Sequence, residues 1–256
     1  MLFLGNLIYR IFSNKAKVER LQQRIRDEEW SAIVHAIPKK SSFLDVGCGA
    51  GYAIYKAKTE KQCIAFGVDP DPGGHGVGRF LANFPKESIS IQQAFAEELP
   101  FESSSFDVVY SSHVLEHVNN EQQALQEMKR VLKENGTVII GMPTATMAWI
   151  NWFSQIIFTT HVKVYEFFRF FLSKNPIKQF VRIFRIRSHS APRASSIWYD
   201  IQHYRVSNWK KTLEKEFVIE EIIQPCLYPY PDYPQWFRLH RSRLGSSSVF
   251  FVCKKQ

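Results

Sequence analysis

Leu44-Asp-Val-Gly-Cys-Gly-Ala-Gly51 decides how the rest of the chain is read. An apolar run that ends in an acid and then in glycines at every second position is a buried strand running into a tight loop. Glycine lets such a loop pass close beneath a ligand, because no Cβ intrudes and positive φ is tolerated. The flanking sequence alternates in the same way. Phe43–Val46, Cys63–Val68, Ser88–Gln92, Phe106–Tyr110 and Thr137–Met142 read as strands. Tyr52–Thr59, Gly78–Phe84 and Asn120–Lys133 show helical spacing, and Gly136 is the expected stop after the last of them. Near-continuous apolar strands between helices predict an α/β fold with a mostly parallel sheet covered on both faces. Glu216–Ile223 and Ser247–Cys253 read as two further strands that finish the sheet as an antiparallel hairpin.

Ligands of such sheets bind beyond the carboxyl ends of the strands. Asp69 follows the second strand and is placed to accept from a ribose diol. The nicotinamide fingerprint G-x-G-x-x-G/A does not fit, because counting from Gly47 puts Tyr52 where a small residue is needed. The D-x-G-x-G-x-G spacing favours a smaller nucleoside with a charged tail over a pyrophosphate.

The chain resembles the class I S-adenosylmethionine-dependent methyltransferases, in particular the methyltransferase type 11 group, over roughly residues 40–143. The resemblance lies in an ordered set: Leu44–Gly51, Gly67-Val-Asp69, Ala96-Glu-Glu-Leu-Pro-Phe101, Phe106-Asp-Val-Val109, Val114-Leu-Glu-His117 and Met128–Lys133 with Gly136. It implies a Rossmann-like seven-stranded sheet and S-adenosyl-L-methionine as cofactor. It also implies that Asp45, Gly47, Cys48, Gly49 and Gly51 line the methionine end of that cofactor. Asp69 with Pro70 would hold the ribose, Phe95-Ala96-Glu97 would border the adenine, and Ser111 would stand at the end of the fourth strand beside the site. The group commonly carries Asp at position 95; Phe95 replaces a polar contact to the adenine amino group with an aromatic face.

Three other signals point elsewhere and are weaker. His113-Val-Leu-Glu-His117 matches a zinc signature, but it follows a strand, so no metal is expected. Gly73–Gly78 lacks the lysine–hydroxyl pair of a phosphate loop and reads as a turn. Pro225-Cys226 lies too late in the chain for a base-methylating nucleophile.

The chain of 256 residues carries a formal charge of +9, and that charge is unevenly spread. Residues 1–143 hold 16 Lys/Arg and 17 Asp/Glu, whereas residues 144–256 hold 17 and 7. The expected organisation is an amphipathic helical segment over 1–40, a cofactor-binding core over 41–143, a basic aromatic cap over 144–206, and a last helix and two strands over 207–256. The N-terminal segment is expected to pack on the domain, or else to lie on a membrane. Met1–Phe12 lacks a basic leader and is too short to span a bilayer, so neither a signal peptide nor a spanning helix is expected there. Four scattered cysteines read as reduced thiols of a cytoplasmic protein, peripheral at most to the inner face of a membrane.

From Trp149 to Phe184, 11 residues are aromatic, and Lys174, Lys178, Arg182 and Arg185 form one stripe of a helix. The pattern reads either as an aromatic core under a solvated basic face or as an interfacial surface. RNA binding is the third reading. Asp200-Ile-Gln-His-Tyr-Arg-Val-Ser207 resembles the stretch that follows the cap in type 11 enzymes. His203 and His113 are thus the candidate catalytic bases, and the alternative for the former is a backbone-bonded histidine with Ser207 as N-cap. The expected activity is methyl transfer to a small hydrophobic or lipid-linked acceptor, anionic if the basic half binds it. The alternatives are an RNA methyltransferase and a cofactor-binding protein without turnover.

Overall fold

The computed structural model describes residues 15–76, 89–153, 197–228, 239–240 and 245–256. Helix α1 (Lys15–Ile33) runs through a short 3-10 turn (Val34–Ala36) into the core. The core follows as β1 (Ser42–Val46), α2 (Tyr52–Lys61), β2 (Ile64–Asp69), β3 (Ile91–Gln93), β4 (Phe106–Ser112), α3 (Glu121–Val131) and β5 (Leu132–Pro143). Residues 145–153 form α4, and α5 (Ile197–His203) and α6 (Val206–Leu213) come next. Strand β6 (Phe217–Ile223), the two-residue β7 (Cys226–Leu227) and β8 (Leu239–His240), and β9 (Ser248–Lys255) complete the chain.

The main sheet has seven strands in the order β3-β2-β1-β4-β5-β9-β6. Strands β1 to β5 are parallel, and β9 slots antiparallel between β5 and β6. This is the mostly parallel α/β sheet expected from the sequence, hairpin included.

Strand periodicity explains the two-sided core. Leu44, Val46, Val109, Val138 and Ile140 point to one face, where α3 delivers Ala124, Leu125, Met128 and Val131. Phe43, Val108, Tyr110 and Ile139 point to the other, against Trp30 and Ile33 of α1 and Ala53, Ile54 and Ala57 of α2. With both faces covered, no polar alternation survives in the central strands. The C-terminal part of α1 thus packs on the domain, and residues 1–14 of the N-terminal segment lie outside the described residues.

Local differences from the expectations have simple causes. Helix α3 starts at the Asn120 cap, whose side chain accepts from Gln123 N–H, but it stops at Val131 with an extended Leu132. Gly136 is therefore a strand residue of β5, not a helix stop. It is glycine because a Cβ there would lie 2.6 Å from the Leu132 side chain and 3.0 Å from the Lys133 carbonyl oxygen. The N-cap of α6 is Arg205, with no side-chain cap bond, and Ser207 sits inside the helix. The expected helix at 78–84, the basic stripe at 174–185 and most of the cap lie outside the described residues.

Candidate functional site

The glycine loop is held by its own hydrogen bonds. Gly47 and Cys48 N–H both donate to Val68 O, at 2.8 and 3.0 Å, and Gly51 N–H donates to Cys48 O at 2.8 Å. Gly49 N–H donates to Asp69 Oδ2 at 2.7 Å. Three of these donors turn toward β2 and the fourth back into the loop, so the loop does not present them to a phosphate as a P-loop does. Gly47, Gly49 and Gly51 all have positive φ, at 76°, 52° and 83°. A Cβ at Gly47 would collide with Val114, and one at Gly49 would lie 2.7 Å from His75 O.

Asp69 closes the second strand and fastens two turns at once, since its Oδ1 accepts from Asp71 N–H at 2.8 Å. Each of its oxygens keeps a second lone pair for a ligand hydroxyl. The neighbouring Asp45 is buried, and that burial, reinforced by the Asp69 charge, pushes its carboxyl up to about 8. Two acids at the ends of adjacent strands, one of them held neutral, make a site short of a cation. Ser111 pairs in register with Val46, and its buried Oγ has no hydrogen-bond partner among the described residues. A bare-backbone cradle, an acid pair and an orphaned hydroxyl fit a nucleoside carrying a positively charged amino-acid tail.

The remaining expected cofactor residues are distributed less evenly. Cys48 is buried and Pro70 exposed, with the Pro70 carbonyl accepting from Gln93 Nε2 at 2.9 Å. Ala96 is buried, whereas Phe95 stands 62% exposed and so is accessible to a planar ligand. Glu97 is engaged locally, its Oε1 accepting from Asn119 N–H at 2.7 Å and so tying this turn to the loop after β4.

Beyond β4 the chain turns sharply. His113 has φ of 57°, and its N–H donates to Gly141 O at 2.9 Å, so 113–117 is a turn and not a metal-binding helix. The His113 ring lies between two carboxylates. Glu116 Oε1 is 3.4 Å from Nδ1, and Glu29 Oε1, from α1, is 3.8 Å from Nε2. Burial pulls the imidazole down, but the Glu116 and Glu29 carboxylates outweigh it, and His113 titrates above its usual value. The two carboxylates thus favour its imidazolium form.

Glu29 is itself fully enclosed. Tyr228 and Ser248 hydroxyls donate to its Oε1 at 2.7 and 2.6 Å, and Arg26 pairs with Oε2 at 2.5 Å. Burial raises a carboxyl, yet the Arg26 guanidinium and His113 together hold Glu29 well below the usual range. Sequence reasoning missed Glu29, although one signal was present. Ile25, Glu29 and Ile33 fall at i, i+4 and i+8, which puts an acid on the apolar stripe of α1.

His203 sits at the end of α5 and lines a cavity of about 120 Å³ with Glu116, Glu121, Tyr199, Asn208 and Trp209. Its Nδ1 is 3.0 Å from the Tyr199 carbonyl, which can only accept. Nδ1 therefore carries a proton, which leaves Nε2 as the ring nitrogen that can act on a ligand. The Tyr199 ring stacks on the imidazole with centroids 3.6 Å apart. The cavity is anchored to the sheet because Trp209 Nε1 donates to Pro143 O, at the end of β5, at 2.9 Å. Glu116 belongs to both places, touching His113 and lining the cavity. Among the described residues no three His, Cys, Asp or Glu side chains converge as a metal-binding group.

Comparison with known proteins agrees with this geometry. Residues 44–140 match the family described as Methyltransferase domain, the type 11 group. A tRNA U34 carboxymethyltransferase of Hahella chejuensis is 31% identical over 120 residues, covering 44% of this chain and 36% of that protein. An ajmaline N-methyltransferase of Rauvolfia serpentina is 31% identical over 104 residues, covering 40% and 36%. The match thus spans little more than a third of either relative's length. A crystal structure of an S-adenosylmethionine-dependent methyltransferase from Thermotoga maritima superposes with a TM-score of 0.56 at 16% identity, covering 97% of this chain and 99% of that one. The strand order agrees with the fold of that structure, and residues 44–140 carry a methyltransferase domain, a likeness that implies S-adenosylmethionine as cofactor.

Proposed function

We propose that the protein transfers a methyl group to a small hydrophobic or lipid-linked acceptor held in the cavity at the ends of β4 and β5. The observation that carries this reading is the His203 geometry: an imidazole whose Nδ1 is anchored on a backbone carbonyl, lining a cavity that also holds Glu116, the partner of His113. S-adenosylmethionine, when bound, supplies a methyl on a sulfonium, already activated for in-line displacement. The protein's task is then to position the acceptor and to take its proton.

His203 Nε2 removes a proton from an acceptor hydroxyl or amine as the new bond to carbon forms. His113, set between Glu29 and Glu116, positions the Glu116 carboxylate beside the cavity. Asp45, Gly47, Gly49 and Gly51 would enclose the methionine end, Asp69 and Pro70 the ribose, and Phe95 the adenine face. Ser111 would supply a hydroxyl under the sulfonium end.

The test is a screen with methyl-labelled cofactor against lipid, metabolite and RNA fractions. Label is expected in an organic-extractable product, and nuclease-sensitive label would instead make the chain an RNA methyltransferase. Cofactor binding with no labelled fraction would favour a non-catalytic role. His203→Ala should lower the rate by about 10²–10⁴-fold with cofactor affinity intact. An unchanged rate removes His203 from the mechanism.

A further inference from the structure

The cavity beside His203 is lined by more hydrogen-bond acceptors than donors. Three of its lining side chains carry N–H groups, and each spends one on a backbone carbonyl. His203 Nδ1 lies 3.0 Å from Tyr199 O, Asn208 Nδ2 donates to Gln202 O at 2.8 Å, and Trp209 Nε1 donates to Pro143 O at 2.9 Å. What remains on the first two is an acceptor, at His203 Nε2 and at Asn208 Oδ1. The carboxylates of Glu116 and Glu121 join them, and no Lys or Arg lines the cavity among the described residues. The Tyr and Thr hydroxyls of the lining turn either way, so they set no preference.

Both acids are placed to carry charge. Glu121 stands in the first turn of α3, where the positive end of the helix dipole favours a carboxylate. Glu116 Oε1 lies 3.4 Å from His113 Nδ1. A carboxylate offers about four lone-pair sites, so that contact leaves room for a second donor. One wall is aromatic and fixed: Tyr204 and Trp209 are buried, their rings stacked with centroids 5.7 Å apart. Such rings attract a cation through their quadrupole. A cavity of about 150 Å³ holds benzene, so one of about 120 Å³ takes a single small group and not a whole acceptor.

We infer that this cavity binds a protonated amine, so that the reacting group of the acceptor is a primary or secondary alkylamine. An ammonium donates two or three N–H bonds and carries the charge that paired carboxylates call for. A hydroxyl donates one and carries none, and a carboxylate or phosphate is repelled. The amine's role as methyl acceptor rests on the proposed function, whereas its binding does not. His203 Nε2 takes one ammonium proton, which frees the nitrogen lone pair. The nitrogen–carbon bond then forms as the carbon–sulfur bond of the sulfonium breaks, and the positive charge passes from sulfur to the methylated nitrogen.

Hexylamine, hexanol and hexanoate share one chain and differ only in the polar group, so they are the probes. They are titrated calorimetrically into the full chain near neutrality, where an alkylamine of pKa about 10 is protonated. Hexylamine is expected to bind about tenfold or more tightly than hexanol, with hexanoate weakest. Glu121→Gln, at a partly exposed position, should bring hexylamine down toward hexanol and leave hexanol unchanged. Glu116→Gln should act in the same direction, and cofactor affinity checks the folding of both variants. The assignment is overturned if hexanol or hexanoate binds as tightly as hexylamine, or if folded Glu121→Gln keeps the full preference. Label carried on oxygen in an organic-extractable product would overturn the amine acceptor and keep the methyl-transfer reading. Hexylamine binding with no labelled product from any fraction would keep the ammonium site and sink that reading.

Discussion

Glu29 Oε1 lies 3.8 Å from His113 Nε2, joining a helix outside the matched domain to the turn that follows β4. The contact closes a buried row of alternating charge, Arg26–Glu29–His113–Glu116. Removing one member of such a row leaves its neighbour uncompensated, which costs far more than a surface pair is worth.

Glu29→Gln keeps the side chain's shape but removes its charge, and is expected to destabilise the protein by on the order of 3 kcal/mol in urea unfolding. The His113 titration, followed by NMR, should shift down in that variant. An unshifted His113 would mean that Glu116 alone sets its charge.

The pH dependence follows from opposite signs. His113 is raised in the folded state, so its stabilisation is complete below its ordinary value of 6.5 and fades as pH rises through the folded value. Glu29 is depressed, so its stabilisation is present above its ordinary 4.5 and fades as pH falls below that. Stability should therefore peak on the weakly acidic side of neutrality. Both flanks should flatten in Glu29→Gln, as denaturation curves across pH will report.

Asp45 gives a third pH signature. Its carboxyl, raised from 3.8 to about 8, binds more protons folded than unfolded, so this group's contribution to stability declines as pH climbs between those values. A cation seated beside Asp45 would expel the proton. Calorimetric titration with S-adenosylmethionine at pH 7, in buffers of different ionisation enthalpy, should show release approaching one proton per site. Asp45→Asn should abolish the release; release that persists in it would place the titrating group elsewhere.

Asp69→Ala strips the acceptor from Gly49 and Asp71 N–H as well as from any ribose. A loss of at least about 2 kcal/mol in cofactor binding is expected from the unpaired donors and the ligand hydroxyls together. Unchanged affinity would refute the ribose role.

Gly47→Ala places a methyl against Val114 at a positive φ of 76°. Thermal melting should show a destabilisation of about 2–3 kcal/mol. Val114→Ala added to it should recover only the steric part, leaving about 1 kcal/mol of backbone strain. Full recovery would show that the conformation at 47 tolerates any residue.

The sheet, its two-sided core and the glycine loop were legible in the sequence because each rests on local pattern. Buried parallel strands leave continuous apolar runs, and a loop that needs positive φ leaves glycines. Asp45 and Asp69 were legible as strand-end acids, but not the raised carboxyl of Asp45, which depends on burial and on the nearby Asp69 charge across β1 and β2. The misread Gly136 shows the limit of local reading, since a glycine after a helix signals a stop unless a packed Leu132 is the true reason for it. Tertiary structure alone decided the surroundings of the histidines. The sequence offered His113 and His203 as equal bases. Folding set the first between Glu29 and Glu116, whose carboxylates raise its titration, and anchored the Nδ1 of the second on the Tyr199 carbonyl. An imidazole's function is set by the charges and carbonyls around it, and those come from residues far apart in the chain.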